Sequence, residues 1–223
     1  MAGGGAAASA LSSPWRALLQ RALDANAHLK HSTFFQLATV GGGGRPANRT
    51  VVFRGFQEHC DKIQINTDAR SNKIGEIKEW PLGEICWYFT DSWEQFRISG
   101  IIDVIDGSSP DPAKLQQREK AWFASSVKSR LQYLGPSPGI PVANDDHVTD
   151  VHLDPSAGPV DTYCLLTLDP ENVRLSFLVL HAHDFHIGIC TCTLKYRMSY
   201  LLQIHIPLSC CLILLILIFR LIT

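Results

Sequence analysis

Between residues 33 and 105 the chain repeats one device: a β-patterned run, a break of turn-forming residues, and a second β-patterned run. The runs 33–40 and 48–56 flank Gly41, Gly42, Gly43 and Gly44, four glycines that can serve only as a turn or flexible loop. The runs 84–90 and 93–105 flank Asp91 and Ser92, a second hairpin signal. Between them, 62–67 alternates, with Ile63 and Ile65 on one face and Gln64 and Asn66 on the other. Strands this closely spaced return antiparallel. A doubly wound α/β sheet, which places long helices between its strands, is excluded by the same spacing. Ser13 and Pro14 open an amphipathic helix carrying Trp15, Leu18, Leu19, Ala22 and Leu23. Ser71 is placed to cap a short helix with Ile74 and Ile77 inside, and Asp111 and Pro112 open a third helix that ends near Ser125. One more strand is expected at 163–168. The predicted fold is mainly β (α+β), a small antiparallel barrel with helices packed outside.

Length and charge narrow the function. At 223 residues one domain with additions is expected, and a net charge of -1 gives no global attraction for nucleic acid or anionic lipid, so no nucleic-acid partner is predicted. Seven cysteines without a Cys-x-x-Cys spacing suggest free thiols in a reducing compartment, and the expected location is cytoplasmic. Residues 1–13 read as a disordered leader, with a plastid transit peptide as the alternative. Asn48-Arg49-Thr50 fits the glycosylation pattern but lies within a predicted strand, and chance is preferred. His181, His183, His186, Cys190 and Cys192 match no established ligand spacing, so no metal site is expected. Residues 134–159, rich in Pro, Gly, Asp and Ser, read as a long loop.

Three segments join β patterning to polar groups: 48–54 (Asn-Arg-Thr-Val-Val-Phe-Arg), 67–73 (Thr-Asp-Ala-Arg-Ser-Asn-Lys) and 93–100 (Trp-Glu-Gln-Phe-Arg-Ile-Ser-Gly). The middle one runs from a strand into a helix start. It offers backbone N–H groups, the Ser71 hydroxyl, the positive end of a helix dipole and Lys73, which together suit a phosphate. The competing reading makes Ser71 a simple N-cap and leaves Arg70 and Lys73 solvated.

In order and spacing these segments, with 116–124 (Gln-Gln-Arg-Glu-Lys-Ala-Trp-Phe-Ala), resemble the pyridoxamine 5′-phosphate oxidase family, and within it the plant pyridoxine/pyridoxamine 5′-phosphate oxidase 2 branch. The resemblance runs from about Trp15 to Val173 and implies an FMN-binding domain over 14–173 with the split-barrel fold. It implies that Arg49, Ser71 and Lys73, with Asn72 between them, hold the FMN phosphate, that Val51, Val52 and Phe53 lie along the flavin ring, and that Asn66, Thr67 and Gln95 belong to the flavin and ribityl contacts. Arg54 takes the family's basic position near both flavin and substrate, and Trp122, Lys128 and Arg130 fall where substrate-phosphate contacts are expected. A homodimer with FMN at its interface is implied, oxidising pyridoxine or pyridoxamine 5′-phosphate to pyridoxal 5′-phosphate with O2. No separate catalytic side chain is assigned, because the cofactor performs the redox step. Position 72 departs from the family pattern: Asn72 stands where the family has Arg, which predicts weaker FMN retention.

After Val173 the family pattern is no longer legible, and 174–223 reads as a divergent apolar tail in place of the family's last strands. From 198 to 219 there is no Asp, Glu, Lys or Arg, a candidate membrane segment of about 20 residues. A membrane anchor, a buried strand-like segment and translated non-coding sequence are the three readings, the last preferred. The alternative to an active oxidase is accordingly a truncated, weakly active or inactive FMN-binding isoform, attached to a membrane in one version. Another split-barrel oxidoreductase substrate is a third reading.

Overall fold

The computed structural model describes residues 13–140, 152–180 and 187–194, with side chains described for 13–140 and 152–176. Helix α1 (Pro14–Ala25) starts on a proline, whose missing N–H the first turn does not need, and buries Trp15, Leu19, Ala22 and Leu23. Strands β1 (Phe34–Val40) and β2 (Pro46–Phe56) form the first hairpin. Gly43 and Gly44 in its turn have φ of 70° and 76°, backbone that glycine adopts without steric cost. Strand β3 (Ile63–Asp68) leads into α2 (Asn72–Glu79), which lays Ile74 and Ile77 on the core. Strands β4 (Leu82–Phe89) and β5 (Glu94–Ile105) make the second hairpin. Helices α3 (Pro112–Phe123) and α4 (Val127–Leu131) precede the long β6 (Tyr163–Leu180) and then β7 (Ile187–Leu194).

Pairing closes the first six strands into a ring. The sheet order is β3-β2-β1-β4-β5-β6-β7, and β3 also pairs with β6. Each of the six therefore has two partners along part of its length, which removes the open edge that a flat sheet would expose. Alternate residues point inward, so Phe35, Leu37, Ile63, Ile65, Ile85, Trp87, Phe96, Ile98, Leu166 and Leu168 fill the barrel. A smaller cluster, Trp122, Tyr133, Leu153 and Tyr163, lies under α3 and α4. The sequence expectation of an antiparallel barrel with flanking helices agrees with this architecture.

Two elements differ from expectation. The five-residue α4 is too short to show a helical period, and its Ser126 hydroxyl accepts from the Ser129 amide at 3.2 Å. More consequentially, the strand expected to stop at 168 continues to Leu180 and β7 pairs beside it, so the chain carries strands beyond Val173 rather than losing them there. Asp169-Pro170-Glu171-Asn172 reads as a breaker in sequence, yet Pro170 sits opposite Gly100 at a register shift between β5 and β6. A bulge is where a strand tolerates a residue without an N–H. Gly100 permits the approach: a Cβ there would lie 1.9 Å from the Asp169 carbonyl oxygen. Before this point β6 pairs with β3 over Tyr163–Leu168, and after it with β7 over Val173–Leu180. The exchange of partners splits the barrel.

Residues 195–223, including the candidate membrane segment, and His181, His183 and His186 lie outside the described residues. Cys190 and Cys192 fall on β7. Among the described residues no helix is long and apolar enough to cross a membrane.

Candidate functional site

At the end of the barrel where β3 enters α2, the side chains singled out in the phosphate segment converge. Lys73 reaches back across the helix start and donates to the hydroxyls of Thr67 at 3.0 Å and Ser71 at 2.9 Å. Ser71 occupies the N-cap position but does not cap: its hydroxyl donates to the Asp68 carbonyl at 2.7 Å, and among the described residues no side chain bonds to the first N–H groups of α2. The simple N-cap reading is thereby set aside. Arg49 comes in from β2, with its Nη2 2.7 Å from Glu76 Oε2. Burial, and then the positive charge of Arg49, lower the Lys73 pKa from its ordinary value.

This donor set fits a phosphate monoester. Lys73 is a partly buried ammonium whose hydrogen-bond partners among the described residues are neutral hydroxyls, and no carboxylate forms an ion pair with it. A cation in that setting has lost hydration, the Asp68 and Glu76 charges act on it only at a distance, and an arriving dianion supplies a direct counter-ion. The uncapped helix start adds N–H donors and a favourable dipole. Arg70 is not part of this set. Its guanidinium holds Asp68 at 2.7 and 2.9 Å and the Gly135 carbonyl at 3.0 Å. Asn72 is exposed at the first residue of α2.

The other expected residues distribute over two further surfaces. Val51 points into the barrel, Val52 is half-buried on the outer face, and Phe53 packs against Trp87 and Phe56 with ring centroids 5.1 and 5.2 Å apart. Arg54 is exposed, and its charge bears on Tyr133 and Tyr163 in the small cluster. Trp122 is fully buried in that cluster and donates Nε1–H to the Ala157 carbonyl at 2.8 Å. Arg130 is also buried. It donates to the Pro155 carbonyl at 3.0 Å and lies 5.5 Å from the Trp122 ring centroid, while its Nε has no hydrogen-bond partner among the described residues. Lys128 is exposed on α4.

Asn66 links three elements rather than standing free. Its amide donates to Ser125 Oγ at 2.9 Å and its carbonyl accepts from the Tyr163 hydroxyl at 2.9 Å. Gln95 is not brought to the cradle: β2, β1, β4 and β5 are successive neighbours, which puts it three strands from Arg49. Register sets Val52 opposite Phe34 and Tyr88 opposite Gln95. Phe34 and Tyr88, both exposed, therefore lie between Val52 and Gln95 on the outer face. Sequence reasoning passed over Thr39 and Glu76, which bind Arg49. The spacing of Lys73 and Glu76, one turn apart on α2, was the available sign.

A closed antiparallel barrel with a split sixth strand, and a donor set suited to a phosphate where β3 meets α2, match an FMN-binding split barrel. A pyridoxamine 5′-phosphate oxidase-related, FMN-binding protein of Nostoc punctiforme has this fold with a TM-score of 0.76 and 34% identity, over 87% of this chain and 98% of that one. PhzG of Burkholderia lata shares the fold with a TM-score of 0.65 and 17% identity, over 88% of this chain and 94% of that one. Residues 12–106 match the family described as pyridoxamine 5′-phosphate oxidase, FMN-binding domain. Pyridoxine/pyridoxamine 5′-phosphate oxidase 2 of Arabidopsis thaliana is 62% identical over 180 residues, 81% of this chain and 91% of that protein. The chain belongs to the pyridoxamine 5′-phosphate oxidase family, and its cofactor is FMN.

Proposed function

We propose that this protein oxidises pyridoxine 5′-phosphate or pyridoxamine 5′-phosphate to pyridoxal 5′-phosphate with O2 as the electron acceptor. The observation that carries the reading is Lys73, a partly buried cation whose hydrogen-bond partners among the described residues are hydroxyls, beside Arg49 and an uncapped helix start. Arg49, Ser71 and Lys73 hold the FMN phosphate, and Thr67 and Asn66 border it. The β2 backbone at Val51, Val52 and Phe53 lies along the ring. When bound, FMN supplies the two-electron acceptor for oxidation at C4′ of the substrate, with O2 as the terminal oxidant.

Arg54, near Tyr133 and Tyr163, is placed to meet the substrate's anionic end, with Lys128 and Arg130 on the neighbouring α4. Orientation and charge neutralisation are what these side chains contribute. The outer face supports a homodimer. Three strand spacings of about 4.8 Å separate Gln95 from the strand of Arg49, so one flavin touching both sets is best served by two subunits. The exposed Phe34 and Tyr88 between them are the surface a second copy would cover.

Purified full-length protein tests this. The expected result is the yellow absorbance of oxidised flavin, a dimer by light scattering, and pyridoxal 5′-phosphate formation from either substrate. Colourless protein that takes up no added FMN would refute it, and yellow protein without pyridoxal 5′-phosphate formation would redirect the search to another substrate.

A further inference from the structure

Arg49 is not held by its own strand alone. Its Nη1 donates to Thr39 Oγ1 at 2.5 Å, its Nη2 donates to Glu76 Oε2 at 2.7 Å, and the Thr39 hydroxyl donates to the same carboxylate oxygen at 2.5 Å. These three bonds close a ring among β1, β2 and α2. Weaker contacts from Nη1 to the Leu37 and Ala47 carbonyls, both at 3.3 Å, support it from below. Burial alone would raise the Glu76 pKa, but hydrogen bonds from Thr39 and Arg49 hold it below its ordinary value, so the carboxylate is charged at neutral pH.

An acid next to a phosphate cradle is a liability if charge is all that counts, because it repels the dianion that Arg49 and Lys73 attract. Geometry gives it another role. An arginine on a β-strand has many rotamers, and a guanidinium recruits phosphate well only when its planar fork is already aimed. The ring with Thr39 and Glu76 fixes one part of that fork and leaves the Nε–H and the second Nη2 proton outside it.

We propose that Glu76, together with Thr39, is the positioning residue of the phosphate cradle, setting FMN affinity by orienting Arg49. The proposal rests on the reading of Arg49 as a phosphate ligand. Flavin fluorescence quenching with FMN and with riboflavin, which has the same ring and no phosphate, separates phosphate recognition from ring binding. Glu76→Ala is expected to weaken FMN about tenfold, the scale of one lost charge-assisted hydrogen bond, and to leave riboflavin unchanged. Glu76→Gln keeps an acceptor oxygen for both partners and is expected to restore FMN binding to the parent level or tighter. Thr39→Val, which keeps shape and removes the hydroxyl, is expected to weaken FMN in the same direction as Glu76→Ala.

If Glu76→Ala binds FMN as well as the parent or better, Glu76 is only an opposing charge and the proposal fails. Equal losses for FMN and riboflavin would also overturn it, since they indicate a general structural role. Arg49→Ala distinguishes failure of the underlying reading: an unchanged preference for FMN over riboflavin in that variant removes Arg49 from the phosphate site. A collapsed preference in Arg49→Ala, with an intact one in Glu76→Ala, rejects Glu76 alone.

Discussion

The substitution Asn72→Arg should tighten FMN binding. Position 72 is the first residue of α2, between Ser71 and Lys73, and Asn72 is exposed there. A guanidinium at this place adds a charged donor beside an uncapped helix start already occupied by Lys73. Arg70 does not supply the missing charge, because it is held by Asp68 and by the Gly135 carbonyl. A hydrogen bond to a charged group contributes about 1.5–3 kcal/mol. Exposure and the ordering of a long side chain reduce this to about 1–2 kcal/mol. That is a gain of about 5- to 30-fold in the dissociation constant. Quenching of FMN fluorescence on titration with apoprotein measures it directly, with riboflavin as the phosphate-free control. Arg70→Gln should leave the FMN constant unchanged, since that side chain already has its partners. If Asn72→Arg gives no tightening, or tightens riboflavin equally, the α2 N-terminus is not where the phosphate lies.

Gly100→Ala should destabilise the barrel. Its Cβ would lie 1.9 Å from the Asp169 carbonyl oxygen and 3.1 Å from the Pro170 Cα, backbone atoms that cannot swing aside. Overpacking of this kind costs about 1–3 kcal/mol or more, and at about 2–4 °C per kcal/mol the melting temperature should fall by roughly 6–12 °C if the cost is near the upper figure; a fall of under 2 °C in a circular-dichroism melt would show that β6 is not pinned there. Stability should also respond to acid through Glu76. Its folded pKa lies below the ordinary 4.5, so its contribution is present above that pH and is lost as pH falls through the folded value. Denaturant titrations on both sides of pH 4.5 should therefore show a steeper decline for the parent than for Glu76→Gln, and parallel curves would deny the linkage.

What could be read in the sequence was whatever depended on neighbours along the chain. The two hairpins and the β3–α2 junction fall in that class: Thr67, Ser71 and Lys73 lie within seven consecutive residues, and local geometry alone brings them together. Arg49 was recoverable only by resemblance, since 27 positions separate it from Glu76. Glu76 left only its one-turn spacing from Lys73 as a sign, and Thr39, 37 positions from Glu76, left none, because its role exists only once β1 and α2 pack against one another. The sixth strand failed for a related reason. Pro170 looks like a terminator when only its own segment is considered, and it becomes tolerable because Gly100, on another strand, leaves room for a bulge.

That bulge bears on how the later part of the chain relates to function. The closing pairing of β6 with β3 is complete by Leu168, ahead of the register shift, whereas the pairing with β7 begins at Val173, after it. The cradle at Arg49, Ser71 and Lys73 is held by β1, β2, β3 and α2, all within the closed part. Barrel closure and the proposed phosphate contacts are therefore independent of β7. The outer face at Gln95 is different, because β5 meets β6 there at Ser176, beyond the shift, on the stretch that also carries β7. If the proposed dimer and flavin site hold, changes in β7 should disturb the Gln95 side and subunit pairing before they disturb the proposed phosphate cradle. A variant with Gly188→Pro, which removes a strand N–H opposite Val179, is expected to keep its preference for FMN over riboflavin while losing dimer by light scattering. Loss of the FMN preference with the dimer intact would show that the cradle and β7 are coupled after all.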